Sequence, residues 1–134
     1  MKKIAIIGMG YVGLPLALRF SEEGAGVLGI DIDEGKISAL KKGESYIKHI
    51  DGVKIKSYVK EGIFEPSSNF GRVAEADAII ICVPTPLNKN REPDISYIIK
   101  TAEAIAPHLK KGTLVSLEST TYPGTTDGEL RTSL

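Results

Sequence analysis

The amino-acid sequence predicts an α/β fold built on a doubly wound parallel sheet. Three observations predict it. An apolar run, Ile4 to Ile7, leads directly into Gly8-Met9-Gly10-Tyr11-Val12-Gly13. A helical pattern follows, then a second apolar run, Val27 to Ile30, which closes on Asp31. Farther on, Ala78 to Val83 and Leu114 to Leu117 supply two more apolar runs, separated by a segment of helical period. Strands alternating with helices in this way build a parallel sheet with helices on its faces.

Each element follows from local pattern. Strand one covers about residues 3 to 7. A helix runs from about Tyr11 to Glu23, with Val12, Leu14, Leu16, Leu18 and Phe20 making a broad apolar face. Strand two is about 26 to 31. Asp33 is a good N-cap for a helix through about Leu40. Residues 43 to 50, GESYIKHI, form a connector. A short helix is expected over about 52 to 61, and Phe64 falls in a short third strand. The unbroken apolar run Ala78 to Val83 reads as a central strand buried on both faces, stopped by Pro84-Thr85-Pro86. After Pro93, Asp94 or Ser96 caps a helix through about His108. Leu114 to Leu117 is the fifth strand, with Glu118-Ser119-Thr120-Thr121 at its C-terminal end. Another helix begins near Gly124.

The glycine turn points to chemistry. Gly8 permits a tight exit from strand one. Gly10 has no side chain, so a pyrophosphate can approach the backbone. Gly13 lets the helix pack close to the sheet, and the helix N-terminus offers N–H groups to phosphates. Asp31 stands 18 residues after Gly13, at the end of the second strand, where a carboxylate can accept both hydroxyls of an adenosine ribose. A lone G-x-G-x-x-G is a weak signal. One that leaves a strand, opens a helix and is followed by such an acid passes the context tests for dinucleotide binding. The expected architecture is therefore a Rossmann-type sheet in the order 3-2-1-4-5, ending after its fifth strand. Ligands bind such sheets at the carboxyl ends of the strands, at the switch point between strands one and four. The glycine turn, the Val83-Pro84-Thr85 loop and the Glu118 to Thr121 loop converge there.

Length and charge bound the rest. The 134 residues suit one domain with its own core. Lys plus Arg and Asp plus Glu are 17 each, which gives no footprint for nucleic acid or an anionic membrane. Met1-Lys2-Lys3 enters the first strand directly, with no signal peptide and no run long enough to span a bilayer. The single cysteine, Cys82, excludes an internal disulfide and fits a reducing cytoplasm.

With those loops in hand, the chain resembles the NAD-binding domain of the UDP-glucose/GDP-mannose dehydrogenase family. GMGYVGLPLAL at 8 to 18, CVPTPL at 82 to 87 and ESTTYPGTT at 118 to 126 carry the resemblance. NREPDISYI at 90 to 98 and GESYIKHI at 43 to 50 are similar to the branch that oxidises UDP-N-acetylglucosamine or UDP-N-acetylmannosamine at C6. The resemblance implies a role in polysaccharide biosynthesis and oxidation of a hydroxymethyl group to a carboxylate with two NAD, through an aldehyde and a cysteine thioester. The family's thiol, lysine and asparagine lie downstream of residue 134. The resemblance therefore implies that residues 1–134 are the NAD-binding portion of a longer, homo-oligomeric enzyme, and that the UDP-sugar is held through further domains. It places Tyr11 and Val12 at the pyrophosphate, Asp31 and Lys36 at the adenosine ribose, and Val83, Pro84 and Thr85 near the nicotinamide half. Ser119, Thr120 and Thr121 would approach the reacting centre, with Glu118 ordering water or a hydroxyl. The family threonine matches Thr120 by the preceding residues, and Thr121 when counted back from Pro123.

Plainer readings stand beside these. Cys82 sits in an apolar run with no basic residue within three positions, which suits a core role rather than a reactive thiol. His49 and His108 are isolated, and no cluster has metal-ligand spacing; His108 answers a helix dipole. Lys36 can equally be a solvated helix residue. Thr85 and Thr120 can end strands by bonding to backbone. A stand-alone NAD-sensing module, a UDP-glucose 6-dehydrogenase domain and an S-adenosylmethionine-binding Rossmann domain are the rival functions.

Overall fold

The computed structural model describes residues 3–48, 50–83, 89–92 and 94–118. Within them lie five parallel strands: β1 (Lys3–Ile7), β2 (Gly26–Ile30), β3 (Phe64–Ser67), β4 (Ala78–Ile81) and β5 (Leu114–Leu117). Their order is β3-β2-β1-β4-β5, the doubly wound arrangement expected. Four α-helices accompany them: α1 (Gly13–Glu22), α2 (Glu34–Lys41), α3 (Gly52–Lys60) and α4 (Ser96–Ile105).

Strand alternation sorts the core into two layers. Ala5, Ile7, Leu28, Ile30, Ile79, Ile81, Val115 and Leu117 face one side and pack with Ile98 and Ile105 of α4. Ile6, Val27 and Phe64 face the other and pack with Leu14, Ala17 and Leu18 of α1, Leu40 of α2 and Ile55 of α3. The central strands read as continuous apolar runs because both faces are covered. β4 departs from this. Ile79 and Ile81 are buried, but Ile80 is only half-buried. On the Ile80 side α1 packs chiefly over β2, and Ile80 packs only partly buried against that layer.

Pro66 sits in β3, an edge strand among the described elements, where a missing N–H costs no ladder bond on the outer side. Asp33 caps α2 as expected, its Oδ1 accepting the N–H groups of Gly35 and Lys36 at 2.9 and 3.2 Å. Other expectations need correction. The N-cap of α4 is Ile95, with no side-chain cap bond, rather than Asp94 or Ser96, although Asp94 Oδ1 accepts the Ser96 N–H at 3.0 Å. The helix that the sequence carries to His108 is α-helical only to Ile105, and Ala106–His108 is a 3-10 turn. Pro107 has no N–H to continue the α ladder, which accounts for the break. A 3-10 segment, Phe70–Glu75, crosses between β3 and β4 and was not expected. There Arg72 bonds Glu65 and Glu75, and Lys3 bonds the same two acids, tying β1, β3 and the crossover together.

Candidate functional site

Strands β2, β1, β4 and β5 end in register. Beyond the strands proper, the ladder continues by one bond each. Gly8 N–H donates to Ile30 O at 2.7 Å, Cys82 N–H to Ile7 O at 2.7 Å and Glu118 N–H to Ile81 O at 2.8 Å. Gly8, Asp31, Cys82 and Glu118 therefore share one rim. A cleft of about 890 Å³ opens above it.

The glycine turn is shaped as its spacing demands. Gly8 has φ +101°, a conformation that side-chain-bearing residues rarely adopt, and a Cβ there would lie 2.7 Å from Cys82 O. A Cβ on Gly13 would lie 1.6 Å from the Gly8 carbonyl oxygen, so α1 starts in contact with the strand exit. A Cβ on Gly10 would meet nothing within 4 Å; Gly10 borders the cleft instead. α1 itself begins at Gly13 rather than Tyr11, with Val12 at the cap and no side chain bonded there. Leu14 N–H already donates to Gly10 O at 3.1 Å and Pro15 has no N–H, so the amides at this end that a ligand can meet are those ahead of Leu14.

Met9 locks this turn in three ways. Its side chain is fully buried, over Gly29 of β2, where a Cβ would come within 2.8 Å of the sulfur. Its N–H donates to Asp31 Oδ2 at 2.7 Å. Its carbonyl accepts the Tyr46 hydroxyl at 2.5 Å. Asp31 is buried, and its Oδ1 accepts the Asp33 N–H at 2.8 Å. Each carboxylate oxygen keeps lone-pair capacity for a further donor. Asp31 is thus a pre-oriented acceptor at the cleft edge. Burial, then the carboxylates of Asp31 and Asp33, push the Tyr46 phenol well above its usual value. It stays a hydrogen-bond donor.

Lys36 lines the cleft and holds its Nζ 5.9 Å from the centre of the Tyr46 ring. Tyr11 lines the cleft with most of its side chain exposed, and Val12 and Val83 also border it. Cys82 lies just past the end of β4, at the cleft floor, and is buried. Burial first, and then the nearby Glu118 carboxylate, push its thiol up to about 12, which keeps it protonated and inert. Glu118 is half-buried and borders the cleft. Pro84, Thr85, Ser119, Thr120 and Thr121 lie outside the described residues, as does His49.

Sequence reasoning missed one wall. Tyr97, Lys100, Thr101 and Ala104 of α4 line the cleft opposite the glycine turn, with Phe70 and Ser68 beside them. Their spacing of three and four was the available signal, since it defines one helix face adjoining the apolar stripe of Ile98 and Ile105. Ile32, 81% exposed beside Asp31, also lines the cleft and was missed.

A family model decides the relationship: the UDP-glucose/GDP-mannose dehydrogenase family, NAD binding domain, matches residues 2–133. The chain belongs to this family. It is 41% identical over 124 residues to the UDP-N-acetyl-D-mannosamine dehydrogenase of Escherichia coli K12, covering 92% of this chain and 29% of that protein. It is 38% identical over 125 residues to the UDP-N-acetyl-D-glucosamine 6-dehydrogenase of Pseudomonas aeruginosa, covering 93% and 29%. The crystal structure of the NDP-N-acetyl-D-galactosaminuronic acid dehydrogenase of Methanosarcina mazei Go1 superposes with a TM-score of 0.82 at 39% identity, over 94% of this chain and 29% of that one. The chain thus spans less than a third of the length of these relatives.

The cofactor of this nucleotide-sugar dehydrogenase domain is NAD. The geometry fits it. The space beside Gly10 is open to a pyrophosphate, Tyr11 and Val12 at the entry to α1 border it, and a fixed carboxylate stands where a ribose diol would need an acceptor. Among the described residues no helix is long and apolar enough to cross a membrane.

Proposed function

We propose that this chain is the cofactor-binding part of an NAD-dependent UDP-N-acetylhexosamine 6-dehydrogenase. The observation that carries the reading is the pairing of an open Gly10 with a locked Asp31 across one cleft, in a chain about 40% identical to enzymes named for those sugars. Bound NAD would supply a hydride acceptor. The chain's own residues do the holding. Gly8, Gly10 and Gly13 let a pyrophosphate approach, and the amides of Tyr11 and Val12 bind it. Asp31 accepts the ribose hydroxyls, and Lys36 adds positive charge at the same end. Val83 walls the far end of the cleft.

In this reading Pro84 and Thr85, with Ser119, Thr120 and Thr121, meet the nicotinamide half, and Glu118 orders a water or hydroxyl near the reacting carbon. Cys82 takes no part, because a protonated buried thiol is a poor nucleophile. The attacking thiol and the UDP-sugar pocket belong to further domains of a cytoplasmic homo-oligomer that feeds polysaccharide biosynthesis. The test is a full-length assay for NADH with UDP-N-acetylglucosamine, UDP-N-acetylmannosamine and UDP-glucose. Oxidation of UDP-glucose in preference to both acetamido sugars would overturn the substrate assignment.

A further inference from the structure

We infer that Tyr46 is a positioning residue for the cofactor, acting through Met9 and Lys36 rather than by touching the ligand. The inference rests on NAD binding at the glycine turn. Tyr46 lies in the connector between α2 and α3, 37 positions from Met9 in sequence, yet its hydroxyl reaches the Met9 carbonyl at 2.5 Å. A trans peptide points its N–H opposite to its carbonyl. By holding Met9 O, Tyr46 fixes the direction of the Gly10 N–H, the amide of the residue left open beside the cleft.

The opposite side of the same residue is held as well. Met9 N–H is bonded to Asp31, so both peptide planes that flank Met9 are pinned before any ligand arrives. Preorganisation of this sort strengthens binding by removing an ordering cost. The Tyr46 ring has a second task. Lys36 Nζ lies over it, and both side chains border, with Gly10, Tyr11 and Ile47, a small recess beside the turn. The ring face attracts the ammonium and limits where it can swing. One tyrosine thus sets both the backbone at the pyrophosphate and the cation beside the adenosine ribose.

The test separates positioning from general support. Tyr46→Phe removes the hydroxyl and keeps the ring; Tyr46→Leu removes both. Each is titrated with NAD, with ADP, which carries the pyrophosphate, and with adenosine, which does not. Tyr46→Phe is expected to weaken NAD and ADP alike by about fivefold, the worth of one hydrogen bond, while adenosine affinity stays at the wild-type value. Tyr46→Leu should lose roughly threefold more for NAD and ADP, from the released Lys36. Unchanged NAD and ADP affinity in Tyr46→Phe would overturn the proposal. So would an equal loss for adenosine, or failure of Tyr46→Phe to fold, since either makes the hydroxyl a structural support only. Absence of NAD binding by the wild-type protein would overturn the underlying reading instead.

Discussion

Asp31 Oδ2 accepts the Met9 N–H at 2.7 Å, so the acid that ends β2 is bonded directly to the glycine turn that ends β1. The two halves of the fingerprint, read in sequence as separate signals for phosphate and ribose, are one hydrogen-bonded unit. With Oδ1 held by Asp33 N–H, the carboxylate cannot turn away from an incoming ribose without breaking a buried bond.

This geometry sharpens cofactor choice. A 2′-phosphate would bring its charge against a carboxylate that is pinned at both oxygens. Like-charge juxtaposition costs several kcal/mol, so NAD should be preferred over NADP by roughly a hundredfold or more. Lys36 is drawn toward the Tyr46 ring, which limits its ability to rescue the phosphate. Calorimetric titration with both cofactors measures the ratio. Equal affinities would remove Asp31 from the ribose role.

The glycines should separate by what they fail. Gly10→Val adds a side chain to open space, so the fold should keep nearly all its stability, within about 0.5 kcal/mol, while NAD binding disappears. Gly13→Ala places a methyl 1.6 Å from the Gly8 oxygen. That overlap forces α1 off the strand exit and should cost about 3 kcal/mol or more. Thermal melts with and without NAD distinguish the two. A stable Gly13→Ala would mean that α1 has freedom to shift that its packing does not suggest.

The ion-pair group beneath the sheet should show in acid. Hydrogen bonds from Arg72, then from Lys3, hold the Glu75 carboxyl down from the usual 4.5 to about 2, and Arg72 lowers Glu65 in the same direction. A carboxylate depressed in the folded state adds stability that is complete above its unfolded value and is lost as pH falls through its folded value. The window is therefore from 4.5 down to about 2. Exposed pairs contribute only roughly 0.2–1 kcal/mol each. Denaturant unfolding at several pH values should show Arg72→Ala less stable than wild type above this window. The difference should close as pH approaches its lower end; a gap that persists there would assign the effect to packing of the Arg72 stem.

Strand order, the glycine turn and the Asp33 cap were legible because each is a local rule with one good solution. The apolar runs at Ile4, Val27 and Ile79 are too short for helices and read as buried strands, and the glycine fingerprint after the first of them points to the 3-2-1-4-5 order. What escaped was set by distance. Tyr46 sits in a connector with no periodicity, and its meaning lies in a contact with Met9 that no spacing encodes. The α4 wall escaped for a different reason. Tyr97, Thr101 and Ala104 adjoin Ile98 and Ile105 on the helix, so the edge of a core stripe and the lining of a cleft look alike in sequence. The 3-10 crossover at Phe70–Glu75 escaped because parallel strands are ordinarily joined by an α-helix, whereas here an Asn69 cap and the Arg72 pairs hold a tighter turn.

The last prediction concerns activity. The 134-residue chain should bind NAD and fail to oxidise any UDP-sugar. Thioester chemistry needs a thiolate with a partner that lowers its pKa. Cys82 is the single thiol of the sequence. It is buried, its thiol is pushed up to about 12, and the charge acting on it is the Glu118 carboxylate, which has the wrong sign to stabilise a thiolate. Hydride transfer alone could still give an aldehyde, but only if a second wall held the sugar over the nicotinamide and excluded water. The assay is NADH absorbance at high protein concentration with the three UDP-sugars. Sustained NADH formation, above all if it were lost in Cys82→Ser, would place both the thiol and the chemistry inside this cleft and sink the assignment of catalysis to further domains.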